Sequence, residues 1–116
     1  MKATQVVAPG QVKFVETPKP SLKPGHALIR TQLLSLCGSD IHMVHHWRRD
    51  EYPLPPGTAG HEMVGRVEAI DAPGYDIRVG DIALTLAPSA QAMAEYFLAP
   101  AEDVLVLRGE RPLDHY

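Results

Sequence analysis

Eleven prolines and nine glycines, distributed along all 116 residues, set the first limit on what this chain can become. Proline removes a backbone donor and glycine weakens a helix interior, so such punctuation favours short strands and turns over long helices. The intervening segments fit that reading. Met1–Val7 and Gln11–Glu16 alternate about Ala8-Pro9-Gly10, the pattern of a β-hairpin. Thr17–Gly25 contains three prolines and reads as a surface connection, because proline cannot supply ladder N–H groups. Ala27–Leu36 reads as a long strand. Met63–Ile70 reads as another, with Val64, Val67 and Ile70 as its apolar positions, and Ile82–Leu86, Ala92–Leu98 and Val104–Leu107 bring the strands to seven. Ser39 or Asp40 is placed to cap one short helix through Ile41–His46, and Trp47–Thr58, with Pro53, Pro55 and Pro56, reads as a loop. The fold class expected is mainly β, a barrel with one short helix.

Composition narrows the function classes. The net charge is −3, and the one tight basic pair, Arg48-Arg49, is followed at once by Asp50-Glu51, so there is no electrostatic case for a nucleic-acid partner. No segment approaches the roughly 20 apolar residues of a membrane span. The single cysteine excludes an intramolecular disulfide framework and a Cys-rich zinc knuckle, and it suits a reducing compartment. Met1–Gly10 lacks the apolar run of a signal peptide, so a cytoplasmic protein is expected. A chain of this length makes one domain. Arg108–Tyr116 is polar and contains Pro112, which suggests a domain at 1–107 followed at 108–116 by the start of a linker.

Two clusters carry the chemistry. Leu36–Trp47, LCGSDIHMVHHW, holds the only cysteine, three of six histidines, an aspartate and the only tryptophan. Pro56–Gly65, PGTAGHEMVG, sets a His-Glu pair between glycines. Cys37, His61 and Glu62 offer one thiolate, one imidazole and one carboxylate, the three ligand types zinc accepts, and a catalytic zinc keeps a further position open. Adjacent residues of a strand point to opposite faces, so His61 and Glu62 share a metal only if the chain bends at Gly60; otherwise Glu62 acts one shell out. Taken singly, each residue has a plainer reading: an inert core cysteine, a hydrogen-bonded loop histidine, a solvated glutamate. His45 and His46 are adjacent, not spaced for one helical face, and read as exposed helix-end residues.

The order CGSDIH, GHEMVGRV, VGDIA and MAEYFLAP resembles the catalytic domain of the medium-chain zinc-dependent alcohol dehydrogenases, and the CGSDIH form is most similar to their polyol and threonine dehydrogenase branch. The resemblance spans nearly the whole chain. It implies a GroES-like, partly open β-barrel with one or a few short helices. It implies Cys37 and His61 as ligands of one catalytic zinc, with Glu62 a further or exchanging ligand. Ser39 matches the hydroxyl that takes the substrate proton, and His42 a position that passes protons toward solvent. Asp40 matches the carboxylate that orients a ligand histidine. The activity implied is hydride transfer between a small alcohol or polyol and NAD(P), in an intact parent that is a homo-oligomer.

Two features depart from that pattern. Ile82–Ala92 contains no cysteine, so no structural zinc is expected. The sequence also has no G-x-G, and hence no dinucleotide fingerprint of its own; the Rossmann cofactor domain is expected to be absent from this chain. Without that domain the fragment is expected to be inactive alone and to expose apolar surface. A GroES-like binding barrel without chemistry and an inactive truncated dehydrogenase are the rival readings, since fold alone does not assign function. Against the binding barrel stands the joint presence of CGSD and GHE.

Overall fold

The computed structural model describes residues 1–35, 38–46, 51–58, 60, 62–86 and 92–107. Seven strands, one α-helix and a 3-10 turn at Ala101–Asp103 lie among them: β1 (Lys2–Ala8), β2 (Gln11–Glu16), β3 (His26–Ser35), α1 (Gly38–His45), β4 (Glu62–Asp71), β5 (Ile82–Leu86), β6 (Tyr96–Pro100) and β7 (Val104–Leu107). Among the described residues, no helix is long and apolar enough to cross a membrane. The expected roles of Cys37, His61 and segment 108–116, and of the Ser39 and Asp40 side chains, fall outside what is described.

Five strands form one antiparallel sheet in the order β6-β3-β4-β5-β7, and β1 and β2 form a separate hairpin. The hairpin is tied to the segment ahead of β6. Ala3 bridges Ala94, the Thr4 amide donates to the Met93 carbonyl at 3.1 Å, and the Glu95 amide donates to the Lys2 carbonyl at 3.0 Å. At the other side of the sheet, β7 pairs with β5 alone among the described strands. The result is a barrel left partly open.

The core lies on one face of the sheet. Ala27, Ile29, Met63, Val67, Ala83, Phe97 and Ala99 are buried there, with Leu34 and Val106 packed against them. Val64 is not among them. It stands an odd number of residues from Val67 and only one from Met63, so the two-residue period sends it to the opposite face.

The β3–β4 pairing is interrupted twice. Glu68 is an extra residue in β4, between the pairs Leu28–Ala69 and Ile29–Val67. Gln32 is an extra residue in β3, between Thr31–Gly65 and Leu33–Val64. Bulges of this kind bend and twist a strand, as closing a sheet toward a barrel requires. Gly65 lies beside the second bulge, and a Cβ there would run into the Arg30 carbonyl. The glycine of the G-x-V run is therefore a close-approach position.

Two local expectations are revised. The helix begins at Gly38, which puts Ser39 and Asp40 in its first turn instead of at the cap ahead of it. The strand expected at Ala92–Leu98 begins only at Tyr96. Residues 92–95 spend their backbone groups on several partners: the Ala92 amide on the Gly60 carbonyl, the Met93 amide on Gly57, the Glu95 amide on Lys2. No single neighbouring strand is left to define a ladder.

The proline-rich connection is laid across the sheet by Lys19. Its ammonium donates to the Glu68 carboxylate at 2.6 Å and lies 4.0 Å from the centre of the Tyr96 ring. The hydrogen bond to Glu68 raises the Lys19 pKa above 10.5. The hydrogen bond from Lys19 lowers that of Glu68 below 4.5. Both side chains are partly exposed, which keeps the contribution small.

Gly65→Ala is expected to destabilise the fold by about 1–3 kcal/mol, the usual penalty of forcing atoms into filled space, and to lower the midpoint of thermal unfolding. Glu68→Gln tests the strap. The depressed Glu68 contributes stability that is present above its unfolded value and is lost as pH falls through its folded value. The raised Lys19 contributes below 10.5, and its share is lost as pH rises through its folded value. The melting-temperature difference between Glu68→Gln and the parent should thus be widest between these limits and close at both ends.

Candidate active site

β3 and β4 end their pairing at Ser35 opposite Glu62, and Glu62 is also paired across to Leu86 at the end of β5. The exit of β3, the entry of β4 and the exit of β5 therefore meet at one end of the sheet. Ser35 is two residues ahead of Cys37 in sequence, and Glu62 directly follows His61. The described neighbours of all three expected metal ligands are thus gathered at this end. Glu62 itself is half-buried on the outward face, because it shares the parity of Val64 and not of Met63.

That outward face is apolar where a solvated sheet is usually polar. The register aligns Leu33 with Val64, Val64 with Leu84, and Leu84 with Leu105. One row of aliphatic side chains thus crosses four strands, from Leu33 (45% exposed) to Leu105 (60% exposed). A hollow of about 540 Å³ lies over it, lined by Leu33, Leu34, Ser35, Glu62, Met63, Val64 and Leu84. The carboxylate therefore stands at the rim of an apolar hollow large enough for a small organic molecule. Val64 was the sequence signal for this row, being out of phase with the core positions of its strand, but its alignment with Leu84 and Leu105 depends on register.

Leu54, Gly57 and Gly60, ahead of β4, are tied to neighbouring segments by a web of backbone bonds. The Leu54 amide donates to Val6 at 2.8 Å, the Gly57 amide to Thr4 at 2.7 Å, and the Ala92 amide to Gly60 at 2.8 Å. Gly60 is tightly enclosed: a Cβ there would sit 2.8 Å from Leu34 Cδ1 and 2.9 Å from the Met93 nitrogen. Gly60 thus lets the loop pass between β3 and the 92–95 segment just before β4 begins.

α1 carries Ser39, Asp40 and His42 in order. It is anchored by the Gly10 amide, which donates to the Val44 carbonyl at 2.7 Å. His42, His45 and His46 are all exposed, as expected for the last two. Among the described residues alone, no group of three His, Cys, Asp or Glu side chains is assembled for a metal. The expected set draws two of its three members, Cys37 and His61, from outside those residues.

One polar group here had no sequence signal. Thr85, next to Leu86 on β5 and opposite Met63, is 1% exposed, and its hydroxyl has no hydrogen-bond partner among the described residues. A buried hydroxyl left unpaired costs about 1–3 kcal/mol.

Comparison with known proteins follows this geometry. Residues 23–109 match the alcohol dehydrogenase GroES-like domain family. An alcohol dehydrogenase of Cupriavidus necator is 34% identical over 97 residues, covering 81% of this chain and 25% of that protein. A D-altritol 5-dehydrogenase of Agrobacterium fabrum is 37% identical over 82 residues, covering 70% of this chain and 24% of its own length. The chain thus spans about a quarter of the curated relatives it matches. The fold agrees with that of galactitol-1-phosphate dehydrogenase from Escherichia coli, with a TM-score of 0.81 at 20% identity over 98% of this chain and 40% of that one.

Thr85→Val exchanges the hydroxyl for a methyl of similar volume. The unfolding midpoint should stay level or rise; a clear fall would show that the hydroxyl is hydrogen-bonded after all.

Proposed function

This chain belongs to the alcohol dehydrogenase GroES-like domain family, and from that premise we propose that it is the catalytic domain of a zinc-dependent oxidoreductase acting on a small alcohol or polyol with NAD(P). The observation that carries the reading is the pairing of Ser35 with Glu62. It gathers the sequence approaches to Cys37 and His61 at one sheet end, beside an apolar hollow. A thiol, an imidazole and a carboxylate are a donor set that suits zinc, so the residues present fit the ion.

In this reading Cys37, His61 and Glu62 hold the zinc. When bound, the metal supplies Lewis acidity toward an alcohol oxygen, and the nicotinamide supplies the hydride chemistry. The chain's own residues do the rest. Ser39 accepts the hydroxyl proton and His42, exposed on α1, passes it to solvent. Asp40 orients a ligand histidine. The aliphatic row of Leu33, Val64 and Leu84 forms an apolar wall for the carbon skeleton and keeps water from the reacting carbon.

We assign residues 1–107 to this domain and 108–116 to the start of a connection toward a cofactor-binding part, which would carry the NAD(P) site and the contacts of a homo-oligomer. The similarity to curated alcohol, altritol and threonine dehydrogenases supports the substrate class. A cytoplasmic location is supported by the single cysteine, which suits a reducing compartment.

Metal analysis and steady-state kinetics of the protein joined to its cofactor-binding part test the assignment. Cys37→Ser and His61→Ala should each remove zinc and activity together. Ser39→Ala should retain zinc while kcat falls by about 10²–10⁴-fold, the range for losing a positioned proton acceptor. Full zinc content in both ligand variants would refute the metal assignment.

A further inference from the structure

We propose that His42 and His46 form a second cation site, on the solvent side of α1, that takes a borderline divalent ion such as Cu²⁺, Ni²⁺ or Zn²⁺. It is separate from the set of Cys37, His61 and Glu62. Residues four apart on a helix stack on one face, and the turn between these two is intact: the His46 amide donates to the His42 carbonyl at 2.7 Å. Both residues are exposed, and their rings lie 6.2 Å apart, centre to centre, tilted by 42°.

That separation is within reach of chelation. With metal–nitrogen bonds of about 2.0–2.1 Å, two imidazoles on one ion place their ring centres roughly 4.5–5.2 Å apart at right-angled to tetrahedral geometry. A combined movement of the two rings by roughly 1–2 Å, of the kind exposed side chains make through χ1 and χ2, closes the difference. Imidazole suits Cu, Ni and Zn, and water completes the coordination.

His45 is set apart from this pair although its ring also lies 6.1 Å from that of His46. It packs on the β1–β2 turn, where a Cβ at Gly10 would stand 3.1 Å from its Nδ1. An eight-residue helix is marginal by itself, so an ion spanning its last turn would clamp the element that carries Ser39 and Asp40. Only one consequence rests on the proposed function: an ion on His42 competes with proton transfer through that imidazole.

The test is Cu²⁺ titration of the tag-free chain carrying Cys37→Ser and His61→Ala, followed by calorimetry and electron paramagnetic resonance. That background removes the ligands assigned to catalytic zinc, so failure of the zinc reading leaves this outcome untouched. One ion per chain is expected, with couplings from two imidazole nitrogens. His46→Gln should weaken binding on the order of tenfold or more and remove one coupling, while His45→Gln should change neither. The same substitutions in the otherwise unaltered chain, titrated with Ni²⁺, guard against a background that fails to fold. Unchanged binding in His46→Gln, or equal loss in His45→Gln, overturns the proposal.

Discussion

Everything in this structure depends on the antiparallel pairing of β3 with β4. It is the longest ladder, running from His26–Asp71 to Ser35–Glu62, and it lies at the centre of the five-stranded sheet. At one end it buries Ala27 against the core; at the other it delivers Glu62 to the outward face. Side chains alternate between faces, so the contacts that bury Met63 also fix the direction of Glu62. Stability and site geometry therefore rest on one register. A ligand placed by a strand inherits the rigidity of the sheet, which a ligand on a free loop would lack.

The two faces of this sheet are unequal. The inward face is a packed core of small and branched residues closed by Phe97 and Met63. The outward face carries the Leu33–Val64–Leu84–Leu105 row, with Leu33 and Leu105 substantially exposed. Exposed aliphatic rows of this kind mark surfaces that meet a ligand or another piece of polypeptide. Here Glu62 flanks the row, two residues along β4 from Val64 on the same face, so an apolar body with a polar head is the natural complement.

Much of the fold was legible because proline and glycine mark its turns. The hairpin, the long third strand and the strands at Ile82 and Val104 appear within a residue of where alternation places them. The failures are instructive. Ser39 and Asp40 looked like caps because capping chemistry is local, yet the helix already begins at Gly38, ahead of both. Residues 92–95 looked like strand because their side chains are suitable, but their amides are claimed by Gly60, Gly57 and Lys2, a competition no local pattern records. For the site, the types and order of residues were legible in CGSD and GHE. The meeting of Ser35 with Glu62 at one sheet end followed only from the register, and so did the apolar row.

The two bulges of the central ladder have opposite effects on register. Glu68 adds a residue to β4 and Gln32 adds one to β3, so Ser35 meets Glu62 as it would in a ladder with neither. The pair behaves as a vernier whose two scales cancel. Substitution within it is a matter of side-chain fit, but losing or gaining one residue displaces every pair beyond by a step. Because faces alternate, a one-step slip would turn Glu62 from the hollow toward the core. Related sequences should therefore conserve length between positions 26 and 35 more strictly than identity, with Ala27 and Ile29 limited to residues that fit the core. Where one bulge has been deleted, the other should have gone with it.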